Sequence, residues 1–415
     1  ALPARVVGVP YSAEEVAATL VEIGCSVDRA GDDLLVGVPS WRPDLRTGID
    51  LVEEVARLRG YDRIPSVVPA PPPGRGYPAG QRLRRSVART LAEQGLVEVL
   101  SYPFVAPGVH DAFRLPADDA RRRAVRLANP LSDEQPELRT SLLPPLLDTL
   151  RRNVSRGTVD VGLFEIGLVV RPEEHAAAAP VPPVGHRPTD PQLAAIEAAV
   201  PRQPRRVAAV LTGQRELPGW DGAGRAADWT DAVAAAHAVA ATLGVTLEVA
   251  QDEHAPWHPG RCARLSLADR RDGALVGHAG ELDPRVLSAL GLPPRTVAVE
   301  LDLDRLVAAA PDIRPAAHVS TFPLAKEDVA LVVEDSVPVA AVESALREGA
   351  GALLESLRLF DVFTGEQLGA GRKSLAFALR VRAPDRTLTA AELAGVRAAA
   401  VAEAGRRTGA VLRGG

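Results

Sequence analysis

The sequence predicts an α+β protein of three domains: a small mixed α/β unit, a sheet flanked by helices, and a split βαββαβ sandwich. Three observations predict it. Helical and strand periodicities alternate along the chain with no internal repeat. A Pro/Gly-rich stretch at 66–80 separates the first unit from the rest of the chain. From residue 318 onward the pattern reads β, α, β, β, α, β.

The first unit is expected at 1–68. Ser12-Ala13-Glu14-Glu15 reads as a capping box opening a helix that carries Val16, Leu20 and Ile23 and stops at Gly24. Residues 34–38 read as a strand. A second helix begins near Thr47, carries Leu51, Val55 and Leu58, and stops at Gly60.

The central domain is expected at 69–315. Residues 81–93 form an arginine-rich amphipathic helix, 97–104 a strand, 138–153 a helix and 162–170 a strand. An Ala/Pro-rich stretch at 171–206 reads as a mobile insertion. A strand at 207–211, a helix at 228–243 and strands at 263–267 and 296–301 come next, a mixed sheet packed with helices. The last domain, 318–414, has strands at 328–334, 353–363, 373–382 and 410–413, with helices at 339–348 and 389–408. This is the ferredoxin-like order.

Composition narrows the function. The chain of 415 residues is 46% hydrophobic and carries a net charge of −5, so bulk basicity does not make it a nucleic-acid binder. Any RNA contact must come from local features. Residues 318–415 hold 12 basic and 12 acidic side chains, which puts the weight on stacking and individual arginines. Cys25 and Cys262 lie far apart, which suits a reducing cytoplasm. No apolar run reaches membrane-spanning length, so no membrane partner is expected. The chain begins at Ala1 and opens inside a structured segment, as expected of part of a longer protein; its lack of any methionine is not explained by truncation.

The sharpest local feature is acidic. Asp50, Glu53 and Glu54 sit at i, i+3 and i+4 on one helix face, and a turn after Pro43 can return Asp44 over it. Four converging carboxylates would call for a hard cation such as Mg²⁺ or Ca²⁺. The alternative is a solvated first helical turn in which Thr47-Gly48-Ile49-Asp50 is a capping box.

The segments Val38-Pro39-Ser40-Trp41-Arg42-Pro43-Asp44, Ile49-Asp50-Leu51-Val52-Glu53-Glu54-Val55-Ala56-Arg57 and Gly60-Tyr61-Asp62-Arg63-Ile64-Pro65 resemble the B-five domain of the phenylalanyl-tRNA synthetase β-subunit family. The resemblance implies one Mg²⁺ at Asp44, Asp50, Glu53 and Glu54, shared with an α subunit.

The central region resembles the same family's catalytic-like module, an antiparallel sheet with helices like a class II synthetase core. Asn129-Pro130-Leu131-Ser132, Leu138-Arg139-Thr140-Ser141, Leu163-Phe164-Glu165-Ile166-Gly167 and Gly277-His278-Ala279-Gly280-Glu281 carry that likeness. No Gly-x-Gly-x-x-Arg-like segment is found, so no catalytic residue is expected. Arg139 and Glu165 read either as an ATP arginine with its acid or as a salt-bridged framework, and the framework is the expectation. His258 and Cys262 at i, i+4 read as structural and not as half a metal site. The arginine runs at 82–89 and 121–123 read as solvated faces or as phosphate contacts.

In the last domain, Asp361 and Phe363 share one side of a strand with Leu357 and Leu359 by alternation. Phe363 can stack on a base, Asp361 can accept from its edge, and Ser374 can add a hydroxyl; otherwise the phenylalanines are core. Leu359-Phe360-Asp361-Val362-Phe363-Thr364-Gly365 and Lys373-Ser374-Leu375-Ala376 resemble the family's anticodon-binding domain, with Phe363 where the family usually has tyrosine.

The resemblance thus implies part of a phenylalanine–tRNA ligase β subunit in an α₂β₂ heterotetramer that binds tRNA(Phe), with ATP used in the α subunit. The isolated chain is expected to be inactive. The alternative is a non-catalytic tRNA-binding or assembly paralogue built from the same modules.

Overall fold

In the computed structural model the chain divides into two compact units, Ala1–Ala310 and Pro311–Gly415. The structure describes residues 2–70, 73–74, 76–174, 178–220, 222–268, 273–314, 316 and 319–413. Pro71 and Pro72 of the expected linker, residues 175–177 of the expected insertion, and residues 318 and 414 at the ends of the expected last domain lie outside them.

The first unit opens with a short helix, Leu2–Val7, followed by the helix Ala13–Glu22, whose N-cap Ser12 accepts from the Glu15 amide. A hairpin of Ser26–Ala30 and Asp33–Gly37 comes next; its first strand had no clear signal in the sequence. The helix Gly48–Arg59 then buries Val52, Val55 and Ala56. Val55 joins Val16, Leu20, Cys25 and Leu45 in one small core. Gly24 takes φ +90, and a Cβ there would stand 2.9 Å from the Trp41 indole, so glycine both ends the helix and admits the tryptophan.

The same unit holds a seven-stranded sheet, in the order Leu247–Gln251, Trp257–Leu267, Leu275–Leu282, Val297–Asp302, Arg205–Thr212, Val161–Leu168, Val97–Glu98. Only the last pairing is parallel, so the sheet is mixed at one edge and antiparallel elsewhere. One face packs on the helices Ala79–Glu93 and Trp229–Leu243 through Val87, Leu91, Ala236 and Val239. Against the other, the helix Leu143–Ser155 sets Leu146 and Leu150 on Leu163, Val210 and Ala298.

Three expectations change here. The strand at 97–104 breaks into Val97–Glu98 and Phe104–Val105, since Pro103 lacks the amide a ladder needs. The following helix starts at Leu143, with proline in its first turn, and Glu137–Leu138 instead pairs with Phe104–Val105. The stretch at 171–206 contains a helix, Asp190–Ala198, opened by a Thr189–Gln192 capping box.

The second unit is a four-stranded antiparallel sheet in the order Leu354–Phe363, Arg372–Val381, Ala325–Glu334, Val411–Leu412. The helices Val339–Ala350 and Ala390–Thr408 cover one face, packing on Leu331, Leu375, Phe377 and Leu379. The expected βαββαβ order is observed. A bulge between Leu359 and Asp361 changes the side-chain alternation expected for the first of these strands.

Candidate functional site

The acidic segment is built by a turn and a helix start. Arg42 N donates to Pro39 O and Leu45 N to Arg42 O, and buried Leu45 anchors the turn. The turn aims Arg42 at two acids. Its Nη2 lies 2.7 Å from Asp44 Oδ2 and 2.8 Å from Glu54 Oε1. Arg57 Nη2 reaches the other Glu54 oxygen at 2.7 Å. Glu54 is only 5% exposed, and burying an unpaired carboxylate there would cost several kcal/mol. Arg42, then Arg57, hold its pKa below the usual range against the effect of burial. Arg42 holds Asp44 down in the same way.

Asp50 faces another way. Its Oδ2 accepts from the amides of Arg46 (2.8 Å) and Thr47 (2.6 Å), which lower its pKa. This is the capping-box alternative. Glu53 accepts from Tyr61 OH at 2.9 Å. The structure therefore brings Asp44 and Glu54 together through Arg42 and leaves Asp50 and Glu53 with partners of their own. Among the described residues no group of three or more Asp, Glu, His or Cys is arranged to hold a metal ion. As arranged here, the four carboxylates do not form a magnesium cage. Sequence reasoning gave Arg42 no role; its two-residue spacing from Asp44 was the available signal.

In the central sheet a polar row crosses the face that carries the helix Leu143–Ser155. By register it runs Glu165, Ala208, Glu300, His278, Arg264. Glu165, 1% exposed, receives Arg139 Nη1 at 2.6 Å. Glu300 accepts from Ser141 Oγ (2.7 Å) and the Leu142 amide (2.9 Å). The His278 ring stacks on His254 at 3.9 Å and its Nε2 lies 3.1 Å from Asp252. Burial, with Arg121 and His278 adding, pushes His254 down to about 3. Burial lowers Arg171 to about 10, aided by Arg206. Arg121 is itself buried on Asp119, with Nη2 at 2.7 Å. Arg139 and Glu165 thus form the salt-bridged framework. His258 Nδ1 accepts from the Gly260 amide, and burial lifts the Cys262 thiol to about 12, so neither side chain is presented as a ligand. In the other arginine run, Arg84, Arg85 and Arg89 line a groove of about 510 Å³ with Glu98 and Ile166.

In the second unit the bulge separates the expected strand face. Leu357 and Leu359 stay with the helix-covered core, while Asp361 pairs with Ala376 and Phe363 with Ser374 on the opposite face. Asp361 is exposed and Phe363 half-buried. Ser374, between Phe363 and Val332 in register, is 3% exposed, so its hydroxyl lies in the floor of that face.

Known families match the chain block by block. The tRNA synthetase B5 domain family matches residues 1–61. The phenylalanyl tRNA synthetase beta chain CLM domain family matches 64–303, and the ferredoxin-fold anticodon binding domain family matches 320–413. A relative from Thermobifida fusca named phenylalanine–tRNA ligase beta subunit is 57% identical over 411 residues, which are 99% of this chain and 49% of that protein. A relative of the same name from Streptomyces avermitilis is 55% identical over the same shares. One from Nocardia farcinica is 51% identical over 100% of this chain and 50% of its own length. The chain spans about half the length of the curated relatives it matches. These matches, in this order and over nearly every residue, show that the chain belongs to the phenylalanyl-tRNA synthetase β-chain family.

Proposed function

We propose that this chain is the part of a phenylalanine–tRNA ligase β subunit that holds the α subunit and grips the anticodon region of tRNA(Phe). Aminoacylation, with its ATP, belongs to the α subunit of an α₂β₂ assembly in the cytoplasm. Among the described residues no helix is long and apolar enough to cross a membrane.

The observation that carries the reading is an apolar edge. After Val97–Glu98, the outermost strand of the seven-stranded sheet, the chain presents Leu100 at 88% and Tyr102 at 82% exposure. Both line a groove of about 870 Å³ with Phe104, Pro144 and Leu147. An unpaired sheet edge with exposed Leu100 and Tyr102 on the rim of a large groove of mixed polarity calls for a protein partner, and a β subunit's partner is its α subunit.

The test is size-exclusion of this chain mixed with the α subunit. Wild type co-elutes, and Leu100→Asp with Tyr102→Asp elutes alone with an unchanged unfolding midpoint. Co-elution of the double variant would remove this surface, and separate elution of wild type would remove the reading.

Magnesium enters this reading on one condition. Asp44 and Glu54 accept a shared cation only if Arg42 leaves them, so we propose that binding of Mg²⁺ by Asp44, Asp50, Glu53 and Glu54 is confined to the assembly with the α subunit. Calorimetric titration with Mg²⁺ distinguishes the two states: heat of binding is expected for the complex and not for this chain alone.

A further inference from the structure

The guanidinium of Arg413 lies 5.0 Å from the centroid of the Phe363 ring. The two residues come from opposite sides of the second unit's sheet. Phe363 ends one outer strand, Leu354–Phe363, and Arg413 follows the other, Val411–Leu412. The Arg413 amide donates to Ala330 O on the adjacent strand, Ala325–Glu334. Ala330 pairs with Ala376, and Ala376 with Asp361. In the next row Val411, Val332, Ser374 and Phe363 follow one another across the sheet. The side chains of Arg413 and Phe363 therefore meet above a floor of small residues, Ala330, Ala376 and Ser374, on the face turned away from the helices.

Resting on the reading of this face as RNA-binding, we propose that Arg413 is the second wall of a base-stacking slot whose first wall is Phe363. An unpaired nucleobase enters between the phenyl ring and the guanidinium plane. Arginine suits this position because its planar, weakly hydrated group stacks on π-faces and keeps its charge for a neighbouring phosphate. A lysine ammonium offers the charge without the plane.

Three features support the slot. Arg413 is exposed, and among the described residues no carboxylate pairs with it. The contact of this exposed guanidinium with a half-buried ring is worth only about 1 kcal/mol, so it yields readily to a base that offers stacking on both sides. Two stacking contacts need walls about 7 Å apart, so Arg413 has to move outward by only about 2 Å, within reach of a change of rotamer. Asp361, one row from Phe363, is exposed and among the described residues has no hydrogen-bond partner, which leaves its oxygens for donors on a base edge.

The experiment uses the full chain and an RNA hairpin bearing the tRNA(Phe) anticodon loop, with 2-aminopurine placed at each loop position in turn. Stacking quenches the fluorescence of this base. Wild type is expected to quench one position strongly. Arg413→Ala should weaken binding about tenfold and restore much of that fluorescence. Arg413→Lys should weaken binding nearly as much while keeping the wild-type dependence of affinity on salt. The fold is not at stake, because the backbone bond to Ala330 survives any side chain.

Wild-type binding and quenching by Arg413→Lys would overturn the stacking role and leave only a charge. Unchanged binding by Arg413→Ala, with binding lost in Phe363→Ala, would overturn the slot while leaving the RNA-binding reading intact. Unchanged binding by both alanine variants would overturn that reading as well. Tighter binding by Arg413→Ala would make the arginine an obstruction and also overturn the slot.

Discussion

The Arg42 guanidinium lies 2.8 Å from Glu54, the most buried carboxylate of the acidic segment. The positive charge that a metal would bring to Asp44 and Glu54 is supplied in this chain by Arg42, with Arg57 on the second Glu54 oxygen. Arg42→Ala should therefore destabilise the first unit by about 2 kcal/mol, since Arg57 still pairs with Glu54. Millimolar Mg²⁺ should restore part of that loss in the variant and leave wild type unmoved. Urea unfolding of both proteins with and without Mg²⁺ checks this.

Arg139 and Glu165 give a second prediction. Arg139→Leu strands a buried carboxylate and should cost about 3–5 kcal/mol, whereas Arg139→Leu with Glu165→Leu should be far milder. Gly167→Ala should also disturb the pair, because its Cβ would fall 2.4 Å from Arg139 Nη2. Chemical-denaturation midpoints measure all three. An unchanged midpoint in the single leucine variant would contradict a framework role.

Acid should weaken the first unit through His254. Burial depresses its pKa to about 3, with Arg121 and the stacked His278 adding, and Asp119 and Asp252 opposing. Unfolded, the ring titrates near about 6.5. Between those values the unfolded chain binds the extra proton, so stability falls as pH falls, by at most about 1.4 kcal/mol per pH unit for this residue. His278 is lowered in the same direction by its burial. Unfolding midpoints at pH 7 and 5 should separate for wild type and converge partly in His254→Phe, which keeps a stacking ring.

Phe363→Ala should reduce affinity for tRNA(Phe) about tenfold and blunt discrimination among anticodons, while Phe363→Tyr should bind as wild type does. Filter binding to tRNA(Phe) and to an anticodon variant measures both. Equal binding by Phe363→Ala would take the ring out of the interface.

Much of this was legible in the sequence because local chemistry wrote it. Ser12, Thr47 and Thr389 open helices as their side chains predict, and Gly24 and Gly60 close them. The βαββαβ order of the second unit follows from periodicity alone. The bulge at Leu359–Asp361 left no such mark. One extra residue leaves composition intact yet turns Asp361 and Phe363 from the face of Leu357 to the opposite face. The acidic cluster was visible as spacing, but whether a metal or an arginine balances it depends on the tertiary turn that aims Arg42. The slot wall at Arg413 was beyond sequence reasoning, since it lies 50 positions along the chain from Phe363.

A chain that supports a ligase while the chemistry lies in another subunit has a definite kinetic signature. ATP–pyrophosphate exchange with phenylalanine reads it, measured on this chain, on the α subunit, and on the two combined. Exchange is expected in the combination and none from this chain alone. Exchange by this chain alone, or none from a combination that co-elutes as a complex, would contradict the supporting role.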